Sequence, residues 1–333
     1  MLIPPKYFLT SKITQSLQFI EGSKEVINTI NIPPEIEINI RRKSILKSSL
    51  FSARIEGNPL TLEELHQTPS KDQRKKEVFN ILRALNWTHQ RGAKAKDLTA
   101  KNILNLHQIT MKDLINKKNQ GKFRTEVSAI FNTGGIAVYL PPSPKQIPSL
   151  INRLLKFINS EKELLAPIRA CLAHYSFEKI HPFLDGNGRV GRLILQAVLE
   201  KSGYGMKGLL AVEEYLDQHR TKYYRALEEP EKDITAYLEF MLTGIAQTAN
   251  EAKQQVTQKQ KETIEDLLLP RRAEILNIIR DHQMVNFDII RRRFLAVNER
   301  TLRYDLKKLA DLGLIKKRGA TKGVYYEATK TKY

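Results

Sequence analysis

Apolar and polar residues recur with helical spacing over most of the chain, a pattern that predicts a mainly α-helical fold. Prolines at positions 4–5 and 33–34 interrupt the first third of the sequence. The helix predicted after the second break ends at Gly57, a residue type typical of a helix C-terminus. A new helix is predicted to begin at Thr61, because Glu64 three residues later completes a capping box. Further amphipathic helices are predicted over residues 75–90, 99–114, 146–159, 166–179 and 191–201.

A β signal lies between residues 122 and 142. Two short apolar runs, at 127–131 and 136–140, flank the sequence Asn132-Thr133-Gly134-Gly135, which is typical of a hairpin turn. Prolines end the second run. The sequence therefore predicts one short β-hairpin within an otherwise helical region.

The last part of the chain has a pattern of its own. Polar residues dominate 250–265, which are predicted to form an exposed connecting helix or linker. Three short helices, over 271–282, 287–294 and 299–312, precede a β-hairpin, and this order predicts a winged helix. The predicted regions are an N-terminal helical region at 1–60, a helical core at 61–249, a connection at 250–269 and a winged helix-turn-helix at 270–333.

Composition narrows the class of protein. Hydrophobic residues make up 41% and charged residues 27% of the 333, which is ordinary for a globular protein and excludes a disordered or collagen-like chain. The sequence contains no apolar run long enough for a membrane span and no signal-peptide pattern at its start. Cys171 is the only cysteine, which excludes an intrachain disulfide and a multi-cysteine zinc site. We therefore expect a cytoplasmic protein without membrane contact.

Positive charge is concentrated near the end of the chain. The formal net charge is +19, and residues 270–333 hold 16 Lys and Arg against 7 Asp and Glu. Such a balance attracts nucleic acid, nucleotides or acidic partners without choosing among them. It is also compatible with an ordinary solvated basic face.

The segment richest in chemistry is HPFLDGNGRVGR, residues 181–192, which lies between two predicted helices. Gly186 and Gly188 allow a tight turn whose N–H groups form an anion-binding nest at the start of the second helix. Arg189 and Arg192, three residues apart, share a helix face and can grip phosphate oxygens. The segment therefore predicts a site for a phosphate-bearing ligand.

Two further residues of this segment suggest a reaction at that site. Asp185 is a single carboxylate, enough to hold Mg²⁺ whose other ligands are phosphate oxygens and water. His181 can act as a general base near neutral pH. Anion cradle, metal carboxylate and base within twelve residues are typical of phosphoryl-type transfer.

The same twelve residues resemble the signature of Fic-domain proteins, H-x-F-x-(D/E)-G-N-G-R-x-x-R, at every specified position. The resemblance extends to Gly121-Lys122-Phe123-Arg124 and the following hairpin, which are similar to the family's flap, and to a downstream segment with Arg220 and Tyr223-Tyr224. Together these features cover roughly residues 60–247. The resemblance implies a helical Fic core with a β-hairpin flap.

The resemblance also implies an activity: transfer of AMP from ATP to a Ser, Thr or Tyr hydroxyl of a target protein or of the enzyme itself. By position, His181 is the base, Asp185 holds Mg²⁺ and Phe183 anchors the loop. The implied ATP-binding residues are Gly186, Asn187, Gly188, Arg189, Arg192, Tyr223 and Tyr224. The kinase-like branch of the family has Lys at the position of Gly188, so glycine favours AMP transfer over phosphorylation. The flap residues Ile136, Ala137 and Val138 are implied to align the target by strand addition.

Residues 52–58, Ser-Ala-Arg-Ile-Glu-Gly-Asn, resemble the family's inhibitory pattern (S/T)-x-x-x-E-(G/N). Ser52 and Glu56 share a helix face, and Glu56 lies at the predicted helix end. The resemblance implies that Glu56 pairs with Arg192 and so weakens productive ATP binding. In some relatives the same glutamate supports AMP removal, so an enzyme with both activities stays open.

Residues 299–309 resemble the recognition helix of DeoR-like winged helices. The candidate nucleic-acid contacts are Arg300, Arg303 and Lys307, and protein docking is the alternative use of such a domain. For the whole chain, the alternative to an enzyme is a DNA-binding transcriptional regulator whose core only senses nucleotide. The predicted partners are a target protein and, through the last domain, DNA, while a homodimer is left open.

Overall fold

The computed structural model describes residues 1–32, 34–69, 71–92, 97–131, 137–160, 163–257, 268–319 and 323–329. The chain divides into two compact units. The larger unit comprises Met1–Asn31 and Ile40–Gln258, and the smaller comprises Ile32–Asn39 and Lys259–Tyr333. Residues 1–31 thus share a unit with the predicted core, and the predicted division at residue 60 stays a prediction.

The fold is mainly α, as predicted. The first helices are α1 (Ser11–Thr29), α2 (Pro34–Ile55), α3 (Leu62–Gln67), α4 (Gln73–Gly92) and α5 (Ala100–Thr110). After the hairpin come α6 (Ile147–Ile158), α7 (Ala166–Ile180), α8 (Asn187–Lys201), α9 (Val212–Gln218), α10 (Arg220–Glu228) and α11 (Thr235–Thr257).

Short sequence patterns predicted where some of these helices begin and end. The predicted capping box at α3 is confirmed, since the Thr61 hydroxyl accepts from the Glu64 N–H and the Glu64 carboxylate accepts from the Thr61 N–H. The helix predicted over 99–114 ends earlier, at Thr110. Helix α11 includes residues 250–257, so the predicted connection is helical at its start.

Two buried helices hold the motif segment 181–192. Helix α7 has buried side chains along its whole length, and α8 is buried from Asn187 to Leu199 except at Gly188. Helix α7 packs against α6, α8 and α11, while α8 also packs against α4 and α5. The connection between α7 and α8 is therefore fixed at both ends by the core.

The predicted hairpin is present as two short antiparallel strands, β1 (Ile130–Phe131) and β2 (Ala137–Tyr139). Ile130 pairs with Tyr139, and Phe131 pairs with Ala137. The predicted turn and Ile136 lie outside the described residues, as does the side chain of Val138. Ala137 is exposed.

The smaller unit contains α12 (Pro270–Asp281), β3 (Met284–Asn286), α13 (Phe287–Arg293), α14 (Glu299–Asp311), β4 (Ile315–Arg318) and β5 (Tyr325–Ala328). Its strands form an antiparallel sheet in the order β3-β5-β4. The three helices and the hairpin were predicted, but β3 was not, because three residues give too short a pattern to detect.

A buried acidic residue ties α14 to α12. The side chain of Asp305 is 1% exposed and forms ion pairs with Arg271 and with Arg272, whose Nε lies 2.9 Å from Oδ1. A buried carboxylate needs such partners to remain charged. Asp305 therefore fixes the rotation of α14 about its own axis.

Among the residues that the structure describes, none of the helices combines the length and the apolar character that crossing a membrane requires.

Replacing Asp305 with Ala should destabilise the smaller unit, because two arginines lose their common counter-charge. We expect a loss of at most about 3 kcal/mol, since both arginines are partly exposed. Hydrogen exchange of the α14 amides in the full chain measures it. The control is Glu327→Gln, which breaks the surface pair with Arg318 and should cost about 1 kcal/mol or less. Equal effects of the two substitutions would contradict this role for Asp305.

Candidate active site

The loop between α7 and α8 depends on two left-handed residues. His181 ends α7 with φ 48°, and Gly186 precedes α8 with φ 83°. A Cβ at Gly186 would lie 2.6 Å from the Met111 sulfur, so both the backbone and the neighbour require glycine. Between these two bends Phe183 is buried, whereas Leu184 and Asp185 are exposed and form the rim of the site.

His181 is held as a neutral ring. Burial lowers the pKa of His181 to about 4, and the nearby positive charge of Arg124 adds to the effect. Nδ1 lies 3.3 Å from the carbonyl oxygen of Glu178, which can only accept, so Nδ1 carries the proton. Nε2 therefore keeps its lone pair, which is the form that a general base requires.

The loop is braced from within. The side chain of Asn187 accepts from the N–H of Phe183 and donates to its carbonyl, at 2.9 and 2.8 Å. Phe183 is fully buried and stacks on His107 with ring centroids 3.8 Å apart. His107 accepts from the Gly121 N–H, and its other nitrogen donates to the carbonyl of Asp185. The Asn187 side chain is thus used by the loop, which leaves its backbone N–H to face a ligand.

In the part of the chain that the structure describes, no side chain caps the start of α8. Its first N–H groups, at residues 187–189, are therefore available to an anion. Arg189, at this end of the helix, pairs with Glu77 and with Asp185, whose Oδ1 lies 2.8 Å from Nη2. Glu77 also accepts a hydrogen bond from Asn58, so an unpredicted residue of α4 joins Arg189 to the segment 52–58.

The structure brings Arg192 together with Ser52 and Glu56. Arg192 donates from Nε to the Ser52 hydroxyl at 3.0 Å, and from Nη2 to the Ser52 carbonyl and to Glu56 Oε1, both at 2.9 Å. The arginine side chain is 1% exposed. Burial opposes its charge, yet the neighbouring carboxylate of Glu56 raises the pKa of Arg192 above its usual range.

The carboxylate of Glu56 lies against the first turn of α8. A Cβ at Gly188 would overlap Glu56 Oε1. Burial opposes ionisation of this group, but Arg192 and Arg189 outweigh it and hold the pKa of Glu56 below its ordinary value. An ionised carboxylate therefore occupies the end of the helix where an anionic ligand would bind.

Asp185 fits a magnesium ion that keeps most of its water. Its side chain is 57% exposed at the rim of the loop, and Oδ1 accepts from the Gly186 N–H and from Arg189. Among the described residues, no group of three or more His, Cys, Asp or Glu side chains is arranged to hold a metal ion. One carboxylate alone suits Mg²⁺ bound chiefly by water and ligand phosphates.

A buried polar cluster connects α7 with α10 and α11 through His174, Tyr223 and Tyr237. Tyr237 donates to the carbonyl of Cys171, so His174 Nδ1 donates to the Tyr237 oxygen and Nε2 accepts from Tyr223. Tyr223 is 1% exposed, so this predicted nucleotide-binding residue lies in the core. Glu178 is buried beside His174, and this burial raises the pKa of Glu178 to about 8.

The remaining predicted residues lie nearer the surface. Tyr224 is partly exposed, and its hydroxyl donates to the carbonyl of Ile55 at 3.1 Å. Arg124, in the segment before the hairpin, is buried and donates to the carbonyls of His181, Glu126 and Pro142. Arg124 therefore joins the motif loop to both ends of the hairpin.

The candidate nucleic-acid residues are all on α14. Arg300, Arg303 and Lys307 are exposed, and Tyr304 on the same side of the helix is 53% exposed. Arg303 lies over the Phe287 ring at 4.0 Å. The buried side of α14 is formed by Leu302, Asp305, Leu306 and Leu309.

Sequence reasoning missed four residues of the site: His107, Glu77, His174 and Arg124. Each acts through a contact with a distant part of the chain, as when His107 meets Phe183. Only Arg124 lay in a segment that the family resemblance had marked. The spacing of the others carries no signal, because His107 and His174 occupy ordinary core positions and Glu77 an ordinary half-buried position of its helix.

This chain is similar in sequence to known proteins. The Fic/DOC family profile matches residues 97–199. Protein adenylyltransferase Fic of Drosophila melanogaster is 27% identical over 249 residues, covering 70% of this chain and 48% of that protein. The corresponding protein of Drosophila yakuba is 27% identical over 237 residues, covering 68% of this chain and 45% of that protein. The chain thus spans about half the length of these curated relatives.

Solved structures show the same fold. A Fic family protein from Desulfovibrio desulfuricans superposes over 99% of both chains with a TM-score of 0.66 and 23% sequence identity. The Fic-1 protein of C. elegans superposes over 72% of this chain and 71% of that one, with a TM-score of 0.60 and 20% identity. The helical architecture of this chain is therefore that of Fic proteins.

Glu178 should make stability depend on pH. The neutral form of Glu178 contributes its full stability to the fold at pH values below 4.5, the ordinary pKa of this side chain. This contribution is lost as the pH rises towards about 8, because the unfolded chain releases the proton at a lower pH than the folded chain does. Glu178→Gln stays neutral throughout. As the pH rises, the free energy of unfolding of the Glu178→Gln chain should therefore increase relative to that of the original chain by up to about 1.4 kcal/mol per pH unit. Urea unfolding between about pH 5 and pH 8 measures this difference.

The matched control is Glu126→Gln, the same substitution at an exposed position. If the Glu178→Gln chain and the original chain respond to pH in parallel over this range, Glu178 is not the group that carries the dependence.

Proposed function

We propose that this chain, whose residues 97–199 match the Fic/DOC family profile, is an autoinhibited protein adenylyltransferase, which transfers AMP from ATP to a hydroxyl group of a target protein. The observation that carries the proposal is the neutral ring of His181, with its proton on Nδ1, beside the uncapped start of α8. A proton acceptor next to a phosphate-binding helix end is what transfer from a nucleotide to a hydroxyl requires.

In the proposed reaction, one P–O bond forms and another breaks. Nε2 of His181 accepts the proton of the target hydroxyl while the hydroxyl oxygen attacks the α-phosphorus of ATP. A new P–O bond forms to the target, the bond between the α-phosphorus and the bridging oxygen breaks, and pyrophosphate leaves. Developing negative charge on the α-phosphate faces the N–H groups of residues 187–189, which are fixed before the reaction by the loop's own hydrogen bonds.

Asp185 is the residue that would hold Mg²⁺, and the ion would supply positive charge against the phosphates. Arg189 and Arg192 supply the rest of that charge from the chain itself. Each binds phosphate oxygens with its guanidinium fork, and each must first leave a carboxylate partner, Glu77 or Glu56.

Autoinhibition follows from what Glu56 occupies. Its carboxylate uses a donor of Arg192 and lies over Gly188, where the charge of a bound triphosphate would also lie. Two anions cannot share this end of the helix without strong repulsion. ATP therefore binds weakly or unproductively until Glu56 is displaced.

Replacing Glu56 with Gly should raise the rate of AMP transfer by about tenfold or more, because it removes a charge-assisted contact to Arg192. The measurement is the transfer of α-phosphate label from ATP to protein. In the Glu56→Gly chain, adding His181→Ala should lower the rate by a factor of about 100 to 10,000, the contribution typical of a general base.

Two results would overturn this assignment. Glu56→Gly could label protein no faster than the original chain, or labelling could survive the loss of His181. The same label, followed on AMP-modified protein without ATP, tests the alternative that Glu56 also supports AMP removal. That activity should then be lost in Glu56→Gly.

The smaller unit supports a second candidate function. Helix α14 follows α13 after five residues, and this order, together with the three-stranded antiparallel sheet, supports the predicted winged helix-turn-helix. The exposed side of α14 carries Arg300, Arg303, Tyr304 and Lys307 at the spacing of successive turns. We propose that this surface, the α14 face, lies in the major groove of duplex DNA.

Replacing Arg300, Arg303 and Lys307 together with Ala should weaken binding to a random-sequence duplex. The slope of log affinity against log salt should become shallower by about 0.9 for each phosphate that the variant no longer neutralises. Fluorescence anisotropy of a labelled duplex at several salt concentrations measures this slope. The control replaces three exposed lysines of the larger unit, Lys101, Lys117 and Lys145, and should leave the slope unchanged.

Equal slopes for both triple variants would show that net charge, rather than the α14 face, attracts DNA. No binding even at low salt would leave protein docking as the use of this surface.

A further inference from the structure

The last turn of α2 ends in a defined backbone motif. The Asn58 N–H donates to the carbonyl of Ala53 at 3.1 Å, and the Gly57 N–H donates to the carbonyl of Arg54 at 2.9 Å. Gly57 has φ 99°, as a Schellman motif requires. Glu56 is the capping residue of this motif, so the direction of its side chain depends on how firmly the turn is held.

Helix α10 holds this turn from the side. Arg220 Nη2 donates to the carbonyl of Arg54 at 2.5 Å, and the Tyr224 hydroxyl donates to the carbonyl of Ile55 at 3.1 Å. The two donors are four residues apart and so lie on one face of α10. Burial raises the pKa of Tyr224 to about 12, which keeps its hydroxyl protonated as a donor.

A second carboxylate fixes this arrangement. Asp217 of α9 accepts from Arg54 Nε at 3.1 Å and also pairs with Arg220. The side chain of Asp217 is 6% exposed, so its two arginine partners offset the cost of burying its charge. Arg54, Asp217 and Arg220 therefore form a closed set that spans α2, α9 and α10.

The electrostatics of a helix end explain why this set matters for Glu56. The C-terminal end of a helix is its negative pole, so an acidic residue there is unfavourable unless cations lie close. Arg192 contacts the carboxylate of Glu56, while Arg220 contacts the carbonyl of Arg54, two residues earlier in the same turn. Loss of Arg220 would leave an acidic residue on a frayed, negatively charged turn.

From these contacts we infer that Arg220 and Tyr224 are positioning residues for autoinhibition: they fix the last turn of α2 and thereby keep Glu56 on Arg192. The inference rests on the proposed function, since it concerns control of the same site. Arg220 needs no contact with nucleotide for this role, whereas Tyr224 belongs to the segment implied to bind it. Arg220 is therefore the residue to test.

The first experiment needs no enzyme activity. Arg220→Gln in the full chain should speed hydrogen exchange of the Gly57 and Asn58 amides by about tenfold, the effect of losing one hydrogen bond to a charged group. Arg225→Gln is the matched control, since Arg225 is exposed on the same helix. Tyr224→Phe, which removes only the hydroxyl, should act in the same direction as Arg220→Gln.

The second experiment measures AMP transfer in a double-mutant cycle of Arg220→Gln and Glu56→Gly. Arg220→Gln alone should raise the rate several-fold, chiefly through a lower KM for ATP, because the turn releases Arg192 more often. In the Glu56→Gly chain, Arg220→Gln should change nothing, since no carboxylate remains to be positioned. A purely structural role would instead lower the rate in both backgrounds.

The outcomes separate the two proposals. Unchanged exchange at Gly57 and Asn58 overturns the positioning role whatever the activity. Faster exchange with an unchanged rate, in a protein that Glu56→Gly activates, overturns it as a means of control. If Glu56→Gly transfers no label, the proposed function fails, and exchange alone decides whether Arg220 holds the turn.

Discussion

A buried guanidinium is the constraint on which the site depends. Arg192 is almost without solvent exposure, and a charge in that position needs both counter-charge and hydrogen bonds. Glu56 supplies the first, and Ser52 supplies two acceptors. Ser52 lies in the last turn of α2, and Glu56 directly follows this helix. The charge around Arg192 therefore depends on the position of α2. Any ligand that takes Glu56 away from Arg192 must replace its negative charge, which a nucleotide triphosphate can do.

Arg189, the other arginine of the motif, is connected to the same turn by a longer series of contacts. Asn58 donates to Glu77, Glu77 pairs with Arg189, and Arg189 pairs with Asp185. Residues 52–58 therefore reach both arginines, one through Glu56 and the other through this chain of polar contacts. Asn58, which directly follows the six positions of that sequence pattern, therefore has a structural role of its own. Asn58 is buried, and its amide links α4 to the end of α2.

The sequence predicted the features that depend on neighbouring residues, and it did not predict the contacts between residues far apart in the chain. The capping box at Thr61, the end of α2 at Gly57 and the glycine turn before α8 all follow from rules that act within a few residues. The helical fold followed from the same periodicity. The positions of His107 and Glu77 did not, because their partners lie 78 and 112 residues away and nothing in the local pattern names them. Contacts between helices decide which ordinary core residue becomes part of a site.

Two glycines of α8 lie where acidic side chains pack against the helix. Glycine inside a helix costs about 0.5–1 kcal/mol relative to alanine, yet α8 has Gly188 and Gly191 within its first two turns. A Cβ at Gly188 would overlap the carboxylate of Glu56, and one at Gly191 would overlap that of Glu178. Both glycines therefore make room for acidic side chains near Arg192. Lysine at position 188, as in the kinase-like branch of the family, would fill the space that Glu56 occupies here. Glycine at this position therefore leaves room for the carboxylate of Glu56 and, under the proposed function, for a nucleotide close to the helix.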